Sequence, residues 1–140
     1  RMDVTDGDSQ VSVGYDDIDA EHRVQIGLMD ALEQAVREGR QGARIDELLE
    51  RLLDYSRVHF LSEQLLMRHH AYSGYDDHVQ DHDRMVSALE ELRRAYDERG
   101  TAYSLEIMQR LRADLIAHIR GRDNELGRYL SGIAVDGEAD

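Results

Sequence analysis

Six histidine and carboxylate side chains fall where apolar residues belong. His59 and Glu63 are four residues apart, as are His78 and His82. Residues at i and i+4 leave a helix in the same direction, so each pair can converge on one point. His22 and His118 sit in the apolar rows of two further segments. An imidazole or carboxylate buried without a partner is costly. One such residue is ordinary, but six on four facing rows need a common cause. A bound metal supplies one, since imidazole nitrogen and carboxylate oxygen suit first-row ions. Spacing leaves a seventh ligand open between two aspartates. Asp114 lies four residues before His118, the ideal step. Asp123 lies five after it, roughly 140° around a regular helix. Helical side chains tilt towards the N-terminus, and a local widening of the helix would bring Asp123 back into line. His69 and His70 close the second segment, where a histidine meets the helix dipole, and read as non-ligands.

The elements that position these residues are helices. Glycine-bearing breaks at 39–42, 71–74 and 99–101 separate four segments with three- and four-residue apolar steps. They run from about Asp19 to Glu38, Ala43 to His70, Tyr75 to Glu98 and Ser104 to Tyr129. The inward row of the first reads Ile18, His22, Ile26, Met29, Leu32, Val36. Short connections make neighbours antiparallel, so the expected fold is all-α, an up-down-up-down antiparallel four-helix bundle. Residues 1–17 are expected to form an extended N-terminal arm, 18–131 the bundle and 132–140 a flexible tail. His22, His78 and His82 come early in the first and third helices; His59, Glu63 and His118 come late in the second and fourth. Antiparallel packing therefore puts them all at one end.

Composition narrows the classes. The 140 residues carry a net charge of −13, which excludes a basic face for nucleic acid and disfavours an anionic membrane surface. There is no cysteine, so disulfides, thiolate zinc sites and iron–sulfur clusters are ruled out. No proline interrupts the helices. No apolar run approaches the roughly 20 residues of a membrane span. No signal peptide is visible, and a cytoplasmic location is expected. The opening Arg1-Met2 suggests a processed, tagged or excised domain. Zinc hydrolase sites use fewer ligands, and the Glu-x-x-His pairs of ferritin-like oxidases are absent.

Four stretches together resemble the hemerythrin family, in particular the bacterial hemerythrins. They are Ile18-Asp19-Ala20-Glu21-His22, His59 through Met67, Gly74 through His82, and His118-Ile119-Arg120-Gly121-Arg122-Asp123. The resemblance runs from about Val13 to Leu130. It implies a non-haem di-iron centre with His78, His82 and His118 on one iron and His22 and His59 on the other. Glu63 and Asp123 would bridge both, which selects Asp123 over Asp114. With an oxo or hydroxo bridge, two six-coordinate ions keep one empty position, on the iron with two histidines, open to a small ligand.

In that family the ligand is dioxygen, bound reversibly, and Phe60, Leu115 and Ile119 would line an apolar pocket for it. The departures are Asp114 where a tryptophan is common, Ser73 for a proline, Gln64 for a second glutamate, and no tryptophan in the arm. Asp114 in particular calls the dryness of the pocket into question. The resemblance implies oxygen storage, delivery or scavenging rather than catalysis. Two alternatives stand beside it. One is an oxygen- or redox-sensing domain covalently linked to signalling domains. The other is an enzyme reducing oxygen, peroxide or nitric oxide at the same centre.

Overall fold

The computed structural model describes residues 12–39, 42–99 and 101–139. Residues 1–11, most of the expected arm, lie outside the described residues. Helix α1 spans Asp16–Arg37, α2 Gly42–His69, α3 Tyr75–Arg99 and α4 Thr101–His118. A π-helical turn, Ile119–Asp123, carries the chain from α4 into α5, Asn124–Ala139. These last three pieces are the bundle's fourth rod. The rod continues past Gly132, where the sequence reading had placed the start of a flexible tail. A helical glycine costs only about 1 kcal/mol, which neighbouring turns can absorb.

Each helix packs on the next, and α4 closes the ring against α1. The apolar rows fill the interior: Ile18, Leu32, Ile45, Leu52, Leu92, Met108 and Leu126 are almost wholly excluded from solvent. Among the described residues no helix is long and apolar enough to cross a membrane.

Local chemistry sets the helix ends. Asp16, Asp17 and Asp19 occupy the first turn of α1 and Asp76 and Asp77 that of α3, where negative charge complements the helix dipole. Gly39, at φ 71°, ends α1 in the left-handed conformation that glycine adopts without strain. At the end of α2 the same position is filled by Ala71, at φ 50°. Tyr72 N–H donates to the Met67 carbonyl and Ala71 N–H to that of Arg68, the paired bonds of a Schellman stop.

The segment before α1 is tied to both the first and the last helix of the bundle. The Asp19 carboxylate accepts from the Val13 N–H at 2.7 Å and from the Ser12 hydroxyl at 2.9 Å. Ser131 donates to the Gly14 carbonyl at 3.1 Å. Val13 is buried and crosses the last helix at Gly127, where an added Cβ would stand 2.3 Å from the Val13 carbonyl oxygen. Glycine is required there by the close approach of two backbones. Gly127→Ala is expected to destabilise the fold by about 1–3 kcal/mol through overpacking. Denaturant unfolding checks it, and unchanged stability would mean that the 12–15 segment does not seat on the last helix.

Candidate metal centre

All seven expected ligands come together at one end of the bundle. Glu63, His78, His82, His118 and Asp123 form one group, and His22, His59, Glu63 and Asp123 a second, each with donor atoms within 4.8 Å of one another. All seven residues are buried.

The carboxylates stand between the two sets of histidines. Glu63 Oε1 lies 3.2 Å from His78 Nε2 and 2.9 Å from His82 Nε2. Its Oε2 faces the other way, 3.2 Å from His59 Nε2 and 3.5 Å from His22 Nε2. Asp123 divides similarly. Oδ1 is 2.8 Å from His78 Nε2 and 2.9 Å from His118 Nε2, and Oδ2 is 2.8 Å from His22 Nε2.

The π turn makes Asp123 part of this arrangement. One extra residue per turn swings it back onto the face of His118, which a regular helix would have denied it. Asp114, its competitor on spacing, is exposed and lines surface grooves between α3 and α4. His69 is exposed and His70 half-buried, and neither belongs to the cluster.

The donors are suited to cations rather than to one another. His22, His59 and His118 Nε2, Glu63 Oε2 and both Asp123 oxygens are buried with no aligned hydrogen-bond partner among the described residues. They approach closely without pointing at each other, as groups aimed at shared points between them would. Five imidazoles and two carboxylates also match the nitrogen and oxygen preference of divalent first-row metals.

Without a cation, protons balance the site. Burial alone would lower the pKa of His22, but the Asp123 and Glu63 carboxylates outweigh it and raise it to about 9. His78 is raised to about 9 by the same opposition. His82, for which burial prevails over Glu63, is shifted down. Burial would raise Glu63, yet four surrounding imidazoles hold it well below the ordinary carboxylate range. Asp123 is lowered too, against burial and the charge of Glu63, by His118, His22 and His78.

Two acidic residues that the sequence reading did not single out complete the site. Glu21 Oε1 lies 2.6 Å from His59 Nδ1, and Asp81 Oδ2 lies 3.3 Å from His118 Nδ1. Asp81 is itself held by Arg122 Nε at 2.9 Å and by Arg84. A carboxylate on the outer nitrogen fixes the ring so that Nε2 presents its lone pair inwards. The available signal was position: Glu21 immediately precedes His22, and Asp81 immediately precedes His82. Each residue therefore faces the neighbouring helix rather than the adjacent histidine's own site.

Phe60 is buried and stacks on His82, with ring centroids 4.2 Å apart and planes 15° apart. Leu115 and the fully buried Ile119 flank His118.

Residues 13–130 match the model of the hemerythrin HHE cation binding domain. The chain belongs to the hemerythrin family. It is 30% identical to the bacteriohemerythrin of Stenotrophomonas maltophilia over 113 residues, which is 81% of this chain and 72% of that one. It is 25% identical to the bacteriohemerythrin of Methylococcus capsulatus over 120 residues, 86% of this chain and 89% of the other. The Pseudomonas paraeruginosa bacteriohemerythrin is 28% identical over 113 residues, with 81% and 72% covered. No solved structure gives a significant match. The hemerythrin membership and the buried cluster agree on metal binding.

A bound cation would displace protons from the histidines that hold it. The pKa of His22 and His78 is raised to about 9 and that of His59 is raised as well, so loading near pH 7 is expected to release protons, and affinity falls as pH falls. Calorimetry in buffers of different ionisation enthalpy measures this, and loading without proton release would contradict the assignment. Glu21→Gln and Asp81→Asn should each weaken metal binding about 10–100-fold. A chelator competition titration reads that loss, and wild-type affinity in both would show that the outer carboxylates do not orient the ligands.

Proposed function

We propose that this hemerythrin holds two iron ions and binds dioxygen reversibly at one open position. The carrying observation is the division of each carboxylate's oxygens between two sets of histidines. His78, His82 and His118 hold one iron, and His22 and His59 the other. Glu63 and Asp123 bridge them, alongside an oxo or hydroxo bridge. When bound, the ferrous pair supplies the two electrons that dioxygen binding draws on. The iron with two histidines is the one with a free position.

The chain's residues do the rest. The buried carboxylates would neutralise much of the metal charge. Glu21 and Asp81 keep His59 and His118 in the ligating tautomer. Phe60 covers His82 and, with Leu115 and Ile119, forms apolar wall beside the centre. Asp114 is exposed, in a surface groove whose lining also includes Met85 and His118. An enclosure without a free acid or base favours binding over turnover, which supports storage, delivery or scavenging as the role. It equally supports the classification as a binding protein rather than an enzyme.

The test is absorption spectroscopy on the iron-loaded, reduced protein. Exposure to air is expected to produce a visible band that vanishes when oxygen is withdrawn and returns on re-exposure. Direct conversion to the oxidised form, with no reversible band, would overturn the carrier reading. Metal analysis should find about two irons per chain in the wild type and in His70→Ala, and a loss in His118→Ala. Equal loss in both variants would contradict the ligand set.

A further inference from the structure

Outside the seven cluster residues, the buried polar side chains among the described residues are Gln25, Ser56 and Ser104. Ser104 has interactions of its own. Gln25 and Ser56 are 1% and 0% exposed and meet across the α1–α2 interface, with Gln25 Nε2 donating to Ser56 Oγ at 2.9 Å. Gln25 Oε1 is buried and has no hydrogen-bond partner among the described residues. Rotating the amide does not cure this. It gives the oxygen to the serine hydroxyl and strands the NH2 group instead.

Their place in the fold gives the pair meaning. Gln25 follows His22 by three residues and Ser56 precedes His59 by three. Met85 follows His82 by three, and Leu115 precedes His118 by three. These four residues form the layer one helical turn inward from the metal ligands, about 5 Å along the bundle. With Phe60 and Met29 they line a cavity of about 10 Å³. Phe60 and Leu115 are also expected to wall the ligand pocket, so this cavity shares those two residues with it. A volume near one water-sized sphere is the smallest that admits a water molecule, provided that polar partners are present. A dry cavity of that size would be lined by apolar atoms alone.

We infer that Gln25 and Ser56 form an internal binding site for a single water molecule, set into the wall of the ligand pocket one turn from the metal layer. The water donates to Gln25 Oε1 and exchanges a hydrogen bond with Ser56 Oγ, satisfying the amide that the protein leaves unpaired. The site favours a small hydrogen-bonding guest over an apolar gas. Its consequence for oxygen rests on the two-iron reading above, whereas the water site itself does not. Oxidation of the reduced centre takes one electron from each of two ferrous ions. Dioxygen accepts both electrons with two protons and departs as hydrogen peroxide. A water held in the pocket wall, itself resupplied from solvent, is a proton donor for that loss, so Gln25 limits the lifetime of the oxygen-bound protein.

The experiment uses the full chain in two arms. Crystals of the wild type at ambient pressure should show ordered water within hydrogen-bond distance of Gln25, and crystals pressurised with xenon should show no xenon there. Gln25→Leu should lose the water, and Ser56→Ala should weaken its density. Xenon in the wild-type cavity, or no water beside Gln25, would overturn the site whether or not the protein binds iron. In the second arm, oxidation in air of the iron-loaded reduced protein is followed in H2O and D2O. Gln25→Leu should slow it about fivefold, the equivalent of one neutral hydrogen bond, and shrink the solvent isotope effect. An unchanged rate and isotope effect, with the water gone, would overturn the role in oxidation. Failure to load iron would instead defeat the proposed function and leave the first arm to decide the water site.

Discussion

Seven ionisable side chains share a volume from which water is excluded, and the rest of the bundle is arranged around making that tolerable. Two carboxylates only 1% exposed would each rise in pKa and neutralise if isolated. They stay ionised because imidazoles surround them, some carrying protons when no cation is bound. The arrangement works only if four helices deliver their histidines to the same level. Antiparallel packing with short connections does this. The early turns of α1 and α3 and the late turns of α2 and the fourth rod fall at one end of the molecule. The remaining length of each helix is ordinary apolar core, which contributes the stability that a polar cluster does not.

The π turn reconciles this demand with the packing of the fourth rod. In α4 the inward positions run Met108, Leu111, Leu115 and His118. Continuing the same rhythm would next turn Arg122, Glu125 and Tyr129 inwards. Slipping by one residue turns Asp123, Leu126 and Leu130 inwards instead, and leaves Arg122 half-buried, where it holds Asp81. One widened turn thus brings a carboxylate into the cluster, restores an apolar face to the last helix and brings an arginine to an outer carboxylate. It also sets Gly127 under the Val13 backbone. Neighbouring helices at functional sites use such widened turns because regular α geometry cannot place side chains five residues apart on one face.

Much of this was legible in the sequence, for a physical reason. A polar residue in an apolar row is a costly anomaly, so His22, His59, Glu63, His78, His82 and His118 stood out without reference to any relative. Their common level followed from helix order alone. Asp123 did not stand out. Spacing tied it with Asp114, because a π turn depends on the packing of the whole rod, and only the family pattern preferred it. Gln25 was missed for a related reason. The apolar row of α1 was drawn through Ile26, yet Gln25 is the buried residue and Ile26 is half-exposed. A row of 3.6-residue period is ambiguous by one position, and hydrophobicity broke the tie the wrong way. Glu21 and Asp81 contact histidines on neighbouring helices, and contacts across helices leave no spacing to read. The reach of the last helix to Ala139 was also hidden, behind a glycine taken as a stop.

The pocket beside the centre shows how such small ambiguities bear on chemistry. Asp114 stands where the family often has a tryptophan, and on sequence it was the residue expected to wet the pocket. It lies on the outer surface between α3 and α4. Polarity enters instead from the α1–α2 side, through an amide that sequence patterning had turned outwards. The buried histidines and carboxylates make metal binding the class of chemistry this end of the bundle can perform. They do not fix how long a bound molecule survives. On the inference drawn above, that depends on whether the layer one turn away offers protons or only methyl groups, and none of that layer's four residues belongs to the cluster. A shared fold and shared ligands therefore set the class of chemistry, and the neighbouring layer separates one use of the centre from another.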